Sequence, residues 1–323
     1  MSILRSIAFY VALALGLAAV MFFAKPPREP RIWSLIFDAG HAPLFGMIAL
    51  LLLGMLRLRK GPRHATTPYA MALVLTILVG LADEALQFFS PRDADAIDWA
   101  RDIAGALAFL MIALAFDPAR SALNSSRLRR AGLGVVAVLL LATVAFPVVS
   151  LAWAMQQRNA ALPLLCDFDS RWSRRFVEAR DAELQRSEPP AAWERTADAA
   201  RSSRRVARID FRAAPYPSLS LREPAPDWSG YTTLRFDIFS ELDSTVTLVL
   251  RIDDAHAQRR YEDRFQRTLQ ILPGANAVGV PLADVQRGPR DRTMDLTQIR
   301  RVVLFAHEPK QPFRLYIGAL RLE

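Results

Sequence analysis

The sequence has a single cysteine, Cys166, among its 323 residues. One thiol cannot form an intramolecular disulfide and cannot supply a cysteine cluster for zinc. The sequence also lacks the phosphate-binding P-loop, the G-x-G-x-x-G dinucleotide pattern, the serine nucleophile elbow and the HExxH zinc motif. Because none of these signals is present, we expect no metal and no cofactor.

Acidic residues are fewer than basic ones, 32 against 41, and the formal net charge is +9. Such an excess can indicate nucleic-acid binding. The excess is divided, however: residues 1–155 hold 14 Lys and Arg against 9 Asp and Glu, and residues 156–323 hold 27 against 23. The second imbalance is modest for a domain of that size, and membrane topology accounts for the first. We therefore expect no nucleic-acid partner.

Long apolar stretches are confined to the first half of the chain. A helix that crosses the hydrocarbon core needs about 20 mostly apolar residues, and only a helix satisfies its own backbone hydrogen bonds there. The fourth stretch is short and is expected to begin earlier, near Trp99. The sequence thus predicts a bundle of about five transmembrane helices in residues 1–155, with the lipid bilayer as a partner. The apolar stretches are 7–24, 32–56, 66–89, 103–116 and 131–155.

Charges in the connecting segments predict the orientation of the bundle. Segments 57–65 and 117–130 each carry four basic residues, and with five crossings they share a side with the N-terminus. The positive-inside rule places that side in the cytoplasm. We therefore expect a multi-pass protein of the cytoplasmic (inner) membrane, with its N-terminus inside and everything after residue 155 extracytoplasmic.

Polar residues occur at the outer ends of three of these stretches. On a helix, Asp83, Glu84 and Gln87 share one face, and Asp98 and Asp102 share another. Ionisable groups in such segments are costly, so they pair within the bundle or line a cavity. Three interpretations remain open: structural ion pairs and helix caps, a substrate pocket, or a catalytic or metal-binding site. The candidate residues are His41, Asp83, Glu84, Gln87, Arg92, Asp98 and Asp102.

The segments DAGHAPLFGMIALLLL and LADEALQFFSPRDADAIDWARDIAGALAF carry a resemblance to the VanZ-like family of bacterial membrane proteins. The match covers roughly residues 30–117. Asp102 stands where that family usually has Asn, and Asp38 stands where a basic residue is expected. The family takes its name from a glycopeptide (teicoplanin) resistance determinant, so the resemblance implies a cell-envelope role without a defined reaction. The matching positions are His41, Asp83, Glu84, Gln87, Phe89, Pro91, Arg92, Asp98 and Gly105.

The second half of the chain has a different composition. Residues 156–205 are polar and rich in arginine and alanine, and they predict a linker with a short exposed helix over 171–186. Residues 206–323 contain short alternating segments such as YTTLRFDIF, separated by loops such as PGAN. This pattern predicts an all-β, antiparallel sandwich. It resembles the jelly-roll, galactose-binding-like modules that often bind carbohydrate.

That resemblance directs attention to exposed aromatic residues, because sugar sites combine aromatic faces with polar groups in a concave surface. Ordinary packing in the core or at its rim is the alternative for each of them. Asp253 and Asp254, with Arg264 nearby, are expected to form a surface salt bridge or a structural ion site. The candidate ligand contacts are Tyr216, Trp228, Tyr231, Tyr261 and His307.

Two functional hypotheses follow. In the first, the helices anchor and present an extracytoplasmic domain that holds a cell-wall or exopolysaccharide glycan. In the second, the chain is an intramembrane enzyme or transporter acting on a lipid-linked envelope precursor through its His and carboxylate cluster. Whether the protein is an enzyme stays open at this point.

Overall fold

The computed structural model describes residues 2–23, 27, 29–58, 66–87, 96–118, 126–193, 205–258 and 260–323. The chain divides into two compact units, Met1–Ser150 and Leu151–Glu323. Each has its own arrangement of secondary structure. The first is helical, and the second consists mainly of β-strands.

Five helices occupy the N-terminal half, where the sequence predicts about five. A sixth, α6 (Leu282–Gln286), lies in the second unit, so the described residues hold six. By length and composition, three of the helices are apolar enough to cross a membrane, over Ile32–Arg57, Thr67–Ala85 and Arg127–Ala160. The five are α1 (Ser2–Phe23), α2 (Ile32–Arg57), α3 (Thr67–Gln87), α4 (Ala96–Ala115) and α5 (Arg127–Ala160).

Small residues set the distance between α2 and α4. A Cβ built on Gly105 of α4 would lie 1.9 Å from the carbonyl oxygen of Ala42 on α2, so the two backbones touch where glycine leaves room. Ala49, seven residues after Ala42 on α2, and Ala106, which directly follows Gly105 on α4, are fully buried in the same bundle. Helices that pack through small residues in this way approach closely without a bulky apolar core between them.

The second unit is a β-sandwich with two sheets, as the sequence predicts for residues 206–323. All its strand pairings are antiparallel. The seven-stranded sheet contains β1 (Leu164–Cys166), β3 (Ala182–Ser187), β4 (Val206–Phe211), β6 (Thr233–Ser240), β9 (Gly274–Pro281), β11 (Phe313–Ile317) and β12 (Leu320–Leu322). The five-stranded sheet runs in the order β2 (Val177–Arg180), β5 (Ser218–Arg222), β10 (Ile299–Phe305), β7 (Val246–Asp254) and β8 (Phe265–Ile271).

Alternation along the five-stranded sheet separates the core from an outer face. Leu248, Leu250 and Ile252 of β7 are fully buried, whereas Val249 and Arg251 between them are partly exposed. Because successive side chains of a strand point to opposite faces, the intervening positions form one continuous outer surface. Burial of each large aliphatic side chain stabilises the sandwich by about 1.5–3 kcal/mol.

The helix predicted over residues 171–186 is wrong. Strands β2 and β3 occupy most of that segment, after a short 3₁₀ turn at Ser173–Arg175. Asp181 joins the two strands with a φ of 49°, a left-handed conformation that aspartate tolerates better than most residues. The strands pair with β5 and β4 respectively, so this part of the predicted linker belongs to both sheets. Tertiary pairing outweighs the helix propensity of its charged residues.

The last turn of α5 packs within the second unit. The buried side chain of Arg158 donates a 2.6 Å hydrogen bond to the carbonyl oxygen of Glu223 and lies over the Phe176 ring at 5.0 Å. Glu223 has a φ of 48° and directly follows β5. The guanidinium therefore ties the end of α5 to the end of a sheet strand.

Candidate functional site

A buried histidine and carboxylate join α2 and α4. His41 Nδ1 lies 2.9 Å from Asp102 Oδ1, and the two residues are 3% and 2% exposed. An ionised carboxylate only accepts hydrogen bonds, so the Nδ1–H of His41 donates to Asp102 when that carboxylate is ionised. The Phe45 ring stacks on the imidazole at a centroid distance of 6.2 Å. The pair is thus held in one geometry by aromatic packing and by the close contact of the two helices.

The second oxygen of Asp102 faces α3. A Cβ on Gly80 would lie 3.1 Å from Asp102 Oδ2 and 3.3 Å from the Trp99 ring. Among the residues that the structure describes, neither Asp102 Oδ2 nor Trp99 Nε1 has a hydrogen-bond partner. One acceptor and one donor are therefore buried beside the His41–Asp102 pair.

The other predicted polar residues are distributed around this pair. Asp83 is buried and Glu84 half-buried on α3. Asp98 forms an ion pair with Arg101, whose guanidinium also lies 3.8 Å from Asp38. This Asp98–Arg101 contact is the structural ion pair left open by the sequence. The Gln87 side chain and all of Arg92 lie outside the described residues.

A second candidate site is a groove of about 950 Å³ on the outer face of the five-stranded sheet. The strand register aligns its lining residues in rows across the sheet. One row is Glu178, Ser220, Val303, Arg251 and Gln266, taken from all five strands in order. The floor is therefore a single polar and basic surface built from strands far apart in sequence.

Three predicted ligand contacts lie at this groove, namely Tyr216, Tyr261 and His307. The two tyrosines are 54% and 67% exposed. Tyr216 and His307 meet edge to face at 5.2 Å, and the Arg264 guanidinium lies 5.1 Å from the centre of the Tyr261 ring. Aromatic edges and faces thus border a polar floor.

Arginine is the main polar component of the groove. Arg222 bonds to Glu178 at 3.0 Å, and Arg251 bonds to Asp253 at 2.8 Å. Burial, and then the nearby charge of Arg251, lower the pKa of Arg264 below its ordinary value. Like charges therefore lie close enough to influence one another. The arginines that line the groove are Arg180, Arg222, Arg251, Arg264, Arg267 and Arg301.

Two predicted contacts lie elsewhere. Trp228 is 0% exposed, and its Nε1 donates to the carbonyl oxygen of Ala225 at 2.8 Å. With no open ring face it has no surface for a ligand, and we leave it out of the proposed contacts. Tyr231 is half-buried and is absent from the described lining of the groove.

The acidic pair at the end of β7 has two separate partners, neither of which is Arg264. Asp253 pairs with Arg251, whereas Asp254 is fully buried and accepts two hydrogen bonds from Arg292 at 2.5 and 2.7 Å. Arg292 also pairs with Asp263. Both aspartates therefore form salt bridges, but their carboxylates are buried rather than on the surface, and the salt bridges involve arginines other than Arg264. No group of three or more His, Cys, Asp or Glu suited to a metal occurs in the described parts of the chain.

Comparison with known proteins gives structural neighbours only. No protein-family model and no curated protein matches the chain. A family 11 carbohydrate-binding module from Clostridium thermocellum, in complex with a β-1,3-1,4-mixed-linked tetrasaccharide, aligns at 13% identity with a TM-score of 0.37, over 49% of this chain and 93% of its own. A carbohydrate-binding module specific for non-crystalline cellulose aligns at 12% identity with a TM-score of 0.34, over 50% of this chain and 94% of its own.

An exo-β-agarase aligns at 17% identity with a TM-score of 0.39, over 50% of this chain. The chain spans 24% of the length of that agarase.

Proposed function

We propose that this chain is a membrane-anchored, extracytoplasmic glycan-binding protein of the cell envelope. Its helices hold it in the cytoplasmic membrane as a multi-pass protein with a cytoplasmic N-terminus. Its β-sandwich holds a cell-wall or exopolysaccharide glycan. The observation that carries the proposal is the groove on the five-stranded sheet, where Tyr216, Tyr261 and His307 border a floor of hydrogen-bonding side chains.

The shape and chemistry of the groove support a glycan ligand. Sugar rings present apolar faces to aromatic side chains and hydroxyl groups to polar ones. The groove offers both, since two exposed tyrosines lie beside a floor that includes Ser218, Ser220 and Thr268. Its volume lies near the upper end of the range of small-molecule pockets, about 300–1,000 Å³. An open groove of that size accommodates a segment of a chain.

The helical half supports membrane anchoring. Three helices are long and apolar enough to span a bilayer, and large side chains such as Val138, Leu139 and Phe146 of α5 are exposed. Exposed apolar surface of this extent is unfavourable in water and favourable in lipid. The excess of basic residues in segments 57–65 and 117–130 supports the proposed orientation.

Glycan binding by the full-length protein in nanodiscs tests the proposal. We expect retention on at least one envelope polysaccharide in affinity electrophoresis or on a glycan array. Tyr261→Ala should weaken binding about fivefold to tenfold, because an aromatic contact contributes roughly 1 kcal/mol or more. Tyr231→Ala is the matched control, since it removes the same side chain outside the groove and should leave the affinity unchanged. Absence of binding to any glycan of a broad envelope panel would contradict the proposal.

A second candidate function uses the helical cluster. The buried His41–Asp102 pair, with an acceptor of Asp102 and a donor of Trp99 lacking partners in the described structure, supports a polar substrate site or a proton-transfer site. Together with the VanZ-like resemblance of segment 30–117, this suggests an enzyme or transporter for a lipid-linked envelope precursor. Under that hypothesis, His41 Nε2 accepts a proton while Asp102 orients the ring.

Replacement of His41 by Ala and of Asp102 by Asn tests this second function. Expression should be held constant, and glycan binding by the sandwich should be measured in the same variants. Loss of an envelope phenotype with glycan binding intact would favour the intramembrane function. An unchanged phenotype in both variants would eliminate it.

A further inference from the structure

We propose that the groove is selective for an acidic glycan, a polymer whose sugars carry carboxylate groups, and that Arg222, Arg251 and Arg301 are the residues that bind those groups. The proposal rests on the glycan-binding function and specifies the class of its ligand. It is carried by the juxtaposition of guanidinium groups on three adjacent central strands, β5, β10 and β7.

The charge of the groove is strongly one-sided. Six arginines line it, whereas Glu178 is the sole acidic residue in its described lining. Two further carboxylates pair with lining arginines from outside, Asp253 with Arg251 and Asp181 with Arg180. Positive charges therefore outnumber negative ones in the described lining of the groove. A neutral polysaccharide would gain nothing from that excess, whereas an anionic one would.

Strand register brings two of these positive charges together. Arg222 of β5 and Arg301 of β10 are direct cross-strand partners, and like charges in that position destabilise a sheet. Arg301 faces Asp253 on its other side, and that carboxylate also accepts a hydrogen bond from Arg251. The three guanidiniums therefore lie on neighbouring strands of one groove, where a single anionic segment can contact more than one of them.

Arginine also has the geometry that carboxylates require. Its planar guanidinium donates two parallel hydrogen bonds to one carboxylate, which a lysine ammonium cannot do. In the described lining of the groove, every side chain with a permanent positive charge is an arginine, and none is a lysine. Tyr216 and Tyr261 supply contacts for sugar rings at the borders of the groove, so the arginines of its floor are available to bind the carboxylate substituents of those sugars.

The extent of the basic surface favours a polymer over a single sugar. Five strands spaced about 4.8 Å apart place β2 and β8 roughly 19 Å from each other. Lining arginines occur on each of the five strands, from Arg180 on β2 to Arg267 on β8. Carboxylates repeated along one chain can therefore contact several arginines at once, which raises affinity through multivalency.

The test compares matched glycans against the full-length protein in nanodiscs of zwitterionic lipid. The probes are polygalacturonate, alginate and hyaluronan, each alongside the same polymer with its carboxyl groups esterified. We expect at least one acidic form to bind tenfold or more tightly than its ester, with affinity falling as salt rises from about 0.05 to 0.5 M. A panel of neutral envelope glycans is measured in parallel.

Variants assign the effect to the groove. Arg222→Gln and Arg301→Gln should each weaken binding of the acidic form about tenfold and leave the melting temperature unchanged or raised. Arg222→Lys keeps the charge and should recover only part of the affinity. Arg287 is an exposed arginine that directly follows α6 and pairs with Asp284, so Arg287→Gln makes the same charge change outside the groove and should have no effect.

Each alternative outcome has a distinct meaning. Equal binding of acid and ester, or binding confined to neutral glycans, would overturn the acidic-glycan inference and leave the glycan-binding function standing. Binding confined to sulfated polymers, to polyphosphate or to vesicles of anionic lipid would also overturn it. Failure to bind any glycan of either panel would remove the glycan-binding function itself.

Discussion

Removal of Arg292 should destabilise the sandwich far more than removal of an ordinary surface arginine. The Asp254 side chain is completely buried and receives two hydrogen bonds from the Arg292 guanidinium. In Arg292→Met the aliphatic part of the side chain remains. Among the residues that the structure describes, Asp254 then keeps one hydrogen bond, which it accepts from the backbone N–H of Asp295 at 2.9 Å. The substitution thus leaves a buried carboxylate without its counter-charge.

The magnitude follows from the burial of the two partners. Breaking a fully buried ion pair by removing one member costs about 3–5 kcal/mol. Arg292 is itself partly exposed, so water can approach the vacated position and screen the remaining charge. We therefore expect a loss of about 2–3 kcal/mol in the free energy of unfolding. For a unit of this size, that loss lowers the melting temperature by roughly 4–12 °C.

Thermal unfolding of the full chain in detergent, followed by the β-sheet signal in circular dichroism, measures this effect. Arg287→Met is the control, because Arg287 is exposed and its pair with Asp284 should contribute less than about 1 kcal/mol. Adding Asp254→Asn to Arg292→Met should recover part of the loss, since the unpaired charge disappears. Equal melting temperatures for the Arg292 and Arg287 variants would refute the reasoning.

Three further predictions concern other buried positions. Gly105→Ala should destabilise the helical unit, because its Cβ would lie 1.9 Å from the backbone of Ala42. A Cβ on Gly132 meets nothing within 4 Å, so Gly132→Ala should be neutral or stabilising by up to about 1 kcal/mol. Thermal melting of both variants in detergent compares them. Burial raises the pKa of Asp237 above its ordinary 3.8, against the opposing charges of Arg321 and Arg235. The stabilisation that comes from the protonated carboxyl group is complete below pH 3.8 and is lost as pH rises through the folded pKa. Asn cannot ionise, so Asp237→Asn should stabilise the sandwich most at neutral pH and least near pH 4, as measured by thermal melts across that range. Burial raises the pKa of the Cys166 thiol to about 12, so only about one molecule in ten thousand carries a thiolate at pH 8. Because the thiolate is the reactive form, maleimide should label Cys166 after denaturation but not before.

The sequence predicts the helical half well because each helix is defined locally. Apolar stretches of about 20 residues locate α2 and α5, and helical periodicity puts Asp98 and Asp102 on one stripe. Periodicity cannot say which of the two reaches His41, because they differ by one turn in height. The contact of Gly105 with Ala42 fixes that height and selects Asp102. That contact is a property of the packed pair of helices.

The groove is harder to predict, because it depends on the order of the strands. Alternation indicates that Arg251 and Arg301 point away from the core. Nothing local indicates that β5, β10 and β7 are neighbours, since they come from residues near 220, 302 and 250. The charged stretch of β2 and β3 is hard to recognise as strands from its sequence, because small residues such as Ala179 and Ala182 occupy half-buried positions where large apolar side chains would mark a strand. The sequence suggests that Trp228 is exposed, because its neighbours in the chain are polar and it lies in a loop. In the structure its side chain is wholly buried.

The bond between Arg158 and the carbonyl of Glu223 has a mechanical consequence. Glu223 is covalently joined to Arg222 in the groove, so under the proposed function a pull on a bound polymer would act on the end of β5. Part of that load would pass from β5 to the final turn of α5 through this bond, without travelling along residues 161–222. Under that function, the three-residue strand β1 would not have to carry that part of the force.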